Sequence, residues 1–191
     1  MKLSIFFSTA ILLPALVAQA QQNNTWRFKL WATTIKGENP HMSGFVDIDT
    51  EGVVGFNRTG EKYFPGFVTH MHSGKQDTFP TGQIVKEDGN LVGALVPTTT
   101  GGLYNLRFAD VSVTASTPGR LMQDFSLTDF NCGMGCGGVQ LVYDLHSPQR
   151  KWVAYPDQEV VNGWKILYWN GAGEPPNGGI KMWLWRDASG I

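Results

Sequence analysis

The sequence predicts an all-β protein, a single-domain antiparallel β-sandwich or jelly roll, and three observations carry that prediction. Apolar and polar residues alternate with a period of two in run after run, and no run keeps helical spacing over the roughly twelve residues a helix needs. Glycine is abundant, at 23 of 191 residues, and only 16% of the chain is charged; tight turns and two-faced sheets suit that balance better than helices do. Five of the seven tryptophans, Trp152, Trp164, Trp169, Trp183 and Trp185, fall between residues 138 and 186. That stretch holds three strand-like runs, and leaving so much aromatic surface in water is costly, so the earlier strands are expected to pack on it.

The first twenty residues read as a secretory signal peptide. Lys2 supplies the positive start, residues 5–17 an apolar run, and Ala18-Gln19-Ala20 a small-residue cleavage site,. Residues 21–191 are then expected to form one β-sandwich domain, exported to the extracellular space or the cell wall. The apolar run is too short to span a bilayer, and no later stretch is long enough. Lys2 is the only charge in the leader, so 14 basic residues would remain against 16 acidic ones. A near-neutral chain without basic clusters argues against nucleic acid and anionic membranes as partners. The sequence sets no oligomeric state. Asn23-Asn24-Thr25 and Asn57-Arg58-Thr59 are N-glycosylation sequons, which place Asn23 and Asn57 at the surface of a glycoprotein,.

In chain order, residues 25–35 (TWRFKLWATTI) alternate: Trp26, Phe28 and Leu30 face one way, Arg27, Lys29 and Trp31 the other,. Residues 44–56 read as a hairpin turning at Asp49-Thr50-Glu51-Gly52. A short strand follows NRTG, and in GFVTHMH the pair Thr69 and Met71 opposes His70 and His72. Residues 82–97 form a hairpin with Glu87-Asp88-Gly89-Asn90 at its tip; GGLYNLRF is a further strand and DVSVTAST another,. RLMQDFSLTDF suits a short helix or a twisted strand, and strand is the preferred reading. NCGMGCGG is the most glycine-dense loop. In WKILYW and IKMWLWR, Trp164, Ile166, Tyr168 and Ile180, Met182, Leu184 oppose Lys165, Leu167, Trp169 and Lys181, Trp183, Trp185.

Several constellations bear on chemistry. His70-Met71-His72 places two imidazoles on one strand face, the spacing of a metal-ligand pair that would need a third donor from elsewhere. The bland reading is two surface histidines. Asp47-Ile48-Asp49-Thr50-Glu51-Gly52 imitates the start of a calcium loop, yet its twelfth position is Arg58 rather than glutamate and a strand follows, so an EF-hand is excluded,. Gly133 to Gly138 spells G-x-G-x-x-G without a helix behind it, which removes dinucleotide binding. Cys132 and Cys136 are the only cysteines, and in an oxidising compartment they are expected to form a small disulfide-closed ring,. No G-x-S-x-G elbow is present, and Asp124, Asp129, Asp157, Glu159 and Glu174 are too scattered to name a glycosidase pair. No catalytic residue and no cofactor is assigned. If the Ile-Met-Leu face is the core, Trp169, Trp183 and Trp185 line an outer face beside Lys165 and Lys181, a platform for sugar rings. The alternative buries both faces.

Two segments carry a resemblance: the Phe28-x-Leu30 strand, and the ending GWKILYWNGAGEPPNGGIKMWLWR with its Gly173-Glu174-Pro175-Pro176-Asn177 turn. The ending resembles a group of small secreted ascomycete proteins carrying a domain of unknown function, although the cysteine expected soon after Asn177 is missing. The resemblance implies a fungal protein of the cell wall or host surface and brings no catalytic residues. The function read from the sequence is a secreted non-catalytic β-domain that binds a polysaccharide or cell-surface glycan. The alternatives are a hydrolase or metal-dependent enzyme using His70 and His72, and an effector that binds a host protein.

Overall fold

The structure, a computed structural model, describes residues 24–73, 81–88, 91–131, 137–143, 151–189 and 191. The expected leader, Asn23, Cys132 and Cys136 lie outside them, as do the hairpin tip at Gly89-Asn90 and the side chain of His72.

The described chain is all-β and antiparallel. Its strands are β1 (Asn24–Thr34), β2 (Ser43–Asp49), β3 (Val54–Phe56), β4 (Tyr63–Pro65), β5 (Thr69–Ser73), β6 (Thr81–Gly82) and β7 (Ile84–Lys86). They continue with β8 (Val92–Pro97), β9 (Leu103–Ala109), β10 (Phe125–Asn131), β11 (Gly137–Tyr143), β12 (Trp152–Pro156), β13 (Trp164–Trp169) and β14 (Ile180–Asp187). One short helix, α1 (Val111–Ser116), follows β9. DVSVTAST was expected as a strand and is corrected here. The Thr114 amide and hydroxyl both bond to the Asp110 carbonyl, at 2.8 and 2.7 Å, which closes a helical turn and leaves Val111 and Val113 more than half exposed.

Two sheets share three strands. The first half of β1 pairs with β5, and its second half lies between β14 and β2. β2 starts on β1 and then passes to β3 and β4. β14 starts on β12 and continues on β1, and pairs with β11 at Trp185 and Gln140. One sheet therefore holds β3, β4, β5, β7, β8, β9, β13 and β12; the other holds β2, β1, β14, β11, β10 and β6. The path β1–β5–β7–β8–β9–β13–β12–β14 returns to β1, so these strands leave few free edges for another chain to extend,.

The alternation read from the sequence predicts the core. Phe28, Leu30 and Ala32 of β1 meet Ile180, Met182 and Leu184 of β14, Ile166 and Tyr168 of β13, and Phe125, Leu127 and Leu141. Each fully buried large side chain contributes roughly 1.5–3 kcal/mol over its exposed form. The opposite side of β12 and β13 carries a second, smaller cluster of Leu103, Val153 and Leu167, flanked by Tyr155 and Trp169. The β13–β14 connection folds back over it: Tyr155 donates to the Pro176 carbonyl, Trp169 Nε1 donates to the Gly173 carbonyl at 3.3 Å, and Gly171 lies against the Trp169 ring.

Candidate binding face

On the outer side of the second sheet, residues distant in sequence form one aromatic surface. Lys29, Trp31 and Thr33 of β1 stand opposite Asp187, Trp185 and Trp183 of β14. Trp31 is also directly opposite Phe45 of β2, and Gln140 of β11 is directly opposite Trp185. Cross-strand partners share a face, so Phe45, Trp31 and Trp185 make a row two strand spacings wide, about 10 Å. Trp31 meets Phe45 edge to face, with ring centroids 4.8 Å apart at 85°. Phe130 of β10 extends the surface, lying 4.8 Å from Trp183 and 6.0 Å from Trp185. Trp185 can lean over β11 because Gly138 has no side chain there; a Cβ would stand 3.0 Å from the ring.

Exposure divides the row. Phe45 is 41% exposed, and Trp31 and Trp185 are half-buried. Trp183 is only 8% exposed and serves as the floor. Polar groups border the rings. The Ser189 hydroxyl and amide hold the Asp187 carboxyl below its ordinary range, with Lys29 adding to the effect. Gln140 is 2% exposed, and among the described residues its amide nitrogen has no hydrogen-bond acceptor.

The five residues grouped from the sequence are not one platform. Trp183 and Trp185 belong to this face. Trp169 lies on the other sheet, under its own loop. Lys181 is bound 2.6 Å from Glu174 of that loop, and Lys165 is held by Asp157 at 3.5 Å and Glu159 at 4.0 Å. The residues missed are Phe45 and Phe130; Trp31 was legible as the aromatic residue on the wet side of β1.

The remaining candidates take structural partners. His70 is opposite Arg27, and its Nε2 lies 3.5 Å from the Glu87 carboxylate. Arg27 grips Glu87 through two contacts of 2.6 and 2.8 Å, and these, with a lesser part from His70, hold the Glu87 carboxyl below its usual range. Among the described residues no three His, Cys, Asp or Glu side chains are grouped to hold a metal. The calcium-like Asp47 and Asp49 face an internal cation instead. Arg58, with a side chain 0% exposed, donates Nε to Asp47 at 2.6 Å and lies 3.3 Å from Asp49 and 3.5 Å from Asp157. Asn57 is exposed, in a left-handed conformation at φ 55°. Among the other carboxylates, Asp124 accepts from the Tyr143 hydroxyl at 3.4 Å.

No protein-family model matches the chain, and no curated protein or solved structure shows significant similarity to it.

Proposed function

We propose that the protein binds a polysaccharide or cell-surface glycan through the outer aromatic row of Phe45, Trp31 and Trp185. The observation that carries this reading is the cross-strand register that sets three accessible rings side by side on a rigid sheet. Sugar rings present apolar C–H faces to such rings, while Lys29 and Asp187 offer hydrogen-bonding groups at the margin. The secretory leader and the fungal resemblance read from the sequence place such a ligand outside the cell, at a wall or host surface. The metal-enzyme reading comes second because His70 is already engaged by Glu87; the host-protein reading shares the same face.

The test is retention on insoluble cell-wall polysaccharides. Phe45→Ala and Trp185→Ala should each weaken retention about tenfold, the scale of a 1.4 kcal/mol contact, with circular dichroism unchanged. Phe45 is exposed enough that its loss leaves the core intact. Undiminished retention by the folded double variant, or no retention of any wall polysaccharide by the wild type, would refute the reading.

A further inference from the structure

We propose that Arg186 is the receptor for an oxyanion, a carboxylate, sulfate or phosphate group, at the end of the sheet where β14 stops. Arg186 stands opposite Leu30, so it lies on the core side of the sheet, away from the aromatic row. Its guanidinium carbon is 5.1 Å from the centroid of the Trp26 ring. Trp26 is half-buried and packs on the core, and a cation held over an indole face is fixed in place by the ring.

Arg186 differs from the other described arginines in what its nitrogens meet. Arg27 binds Glu87, Arg58 binds Asp47, Arg107 donates to the Glu51 carbonyl at 2.9 Å, and Arg120 donates to the Thr117 carbonyl at 2.9 Å. Among the described residues Arg186 has no such acceptor, and its Nε is buried without a hydrogen-bond partner. Asp187, next to it in the chain, stands on the opposite face of β14 and accepts from Ser189.

An arginine cannot shed its proton near neutral pH, so this half-buried charge keeps its cost unless an anion meets it. A planar fork of N–H donors matches two oxygens of one carboxylate, sulfate or phosphate. The buried donor without an acceptor and the lack of a counter-charge, both among the described residues, point with the indole support to one ligand chemistry. This site does not depend on the aromatic row, and either can fail without the other.

The experiment is calorimetric titration of the full chain with sulfate, inorganic phosphate, galacturonate and neutral galactose, at ionic strength held constant with sodium chloride. At least one oxyanion should bind saturably, and galactose should not. Arg186→Lys keeps the charge and loses the fork, so it should weaken binding at least tenfold; Arg186→Gln should abolish it. Galacturonate binding more tightly than the inorganic anions would assign a sugar carboxylate, and the reverse order a sulfate or phosphate group. A measurement on the wild type needs no variant to fold: the bound anion should slow phenylglyoxal modification of Arg186, followed by peptide mass spectrometry. The proposal is overturned if no oxyanion binds saturably, if Arg186→Lys binds like the wild type, or if the anion leaves modification unchanged.

Discussion

Replacing Arg58 by leucine should destabilise the protein by roughly 3–5 kcal/mol, the cost of breaking a buried ion pair by removing one partner. The structure explains why the figure belongs at this scale. Asp47 and Asp157 each have side chains 1% exposed, so neither carboxylate can recover its hydration when the guanidinium goes. The Val53 carbonyl loses its 2.7 Å donor, and the Tyr63 ring, 4.7 Å from the guanidinium, loses the cation packed on it. Leucine fills part of the volume and repairs none of these contacts. For a chain of this size the thermal midpoint should fall by roughly 10–15 °C. Urea unfolding across pH is the assay that isolates the cause. Burial pushes the Asp47 carboxyl up, against the pull of Arg58; in Arg58→Leu the guanidinium's share of that pull is lost and only the residue-58 backbone amide still opposes burial. A carboxyl whose folded pKa lies above its unfolded value favours folding below that pKa and loses the benefit as pH rises through it. The gap between variant and wild type should therefore narrow as pH falls through the raised folded Asp47 pKa toward the unfolded carboxylate value, and Asp47→Asn in the Arg58→Leu background should recover part of the loss at neutral pH. A loss under about 1 kcal/mol, the scale of an exposed pair, would show that the network is not what holds the β2–β3 hairpin, and so would a gap that ignores pH.

Two further outcomes follow from the same region. Gly52→Ala should cost about 3 kcal/mol in urea unfolding, because φ is +83° and the added Cβ would stand 1.8 Å from the Phe108 carbonyl oxygen. The turn must then leave β9 and lose the 2.8 Å bond from the Phe108 amide,; a neutral result would refute the close approach. Burial alone would raise the Asp157 carboxyl, but the Glu159 amide, Lys165 and Arg58 outweigh it and hold it below its ordinary range. Its stabilisation is thus complete above the unfolded carboxylate pKa of about 3.9 and lost as pH falls through the lower folded value. The urea midpoint of Asp157→Asn should fall less steeply than that of the wild type between about pH 4 and pH 2, and parallel curves would exclude this group as a source of acid sensitivity.

Period-two alternation was enough to assign strands and to separate their two faces, because a strand turns its side chains up and down whatever it pairs with. That Phe28 and Leu30 oppose Trp31, and Met182 and Leu184 oppose Trp183 and Trp185, could be read from the residues alone; whether the second face of β14 is covered could not, and Trp183 is buried while Trp185 is half-buried. The same rule failed at Val111, Ser112 and Val113, where alternation over so few residues is equally compatible with one helical turn, and the backbone bond from Thr114 to Asp110 decided for the helix.

Which outer-face residues become neighbours is a different question, since pairing between strands far apart in sequence leaves no mark in local periodicity. Only the register of β1 with β14 and β2 brings Trp31 to Trp185 and Phe45, and only the fold of the β13–β14 connection covers Trp169 with its own loop. Arg58 makes the same point in reverse. As the twelfth residue of a calcium-like stretch it counts against a metal, and the tertiary structure shows its guanidinium between the carboxylates where a cation would sit. The residue types were determined by the sequence; the long-range contacts that turn them into an aromatic row, an internal ion pair and an arginine with no counter-charge among the described residues were decided by the sheet closing on itself.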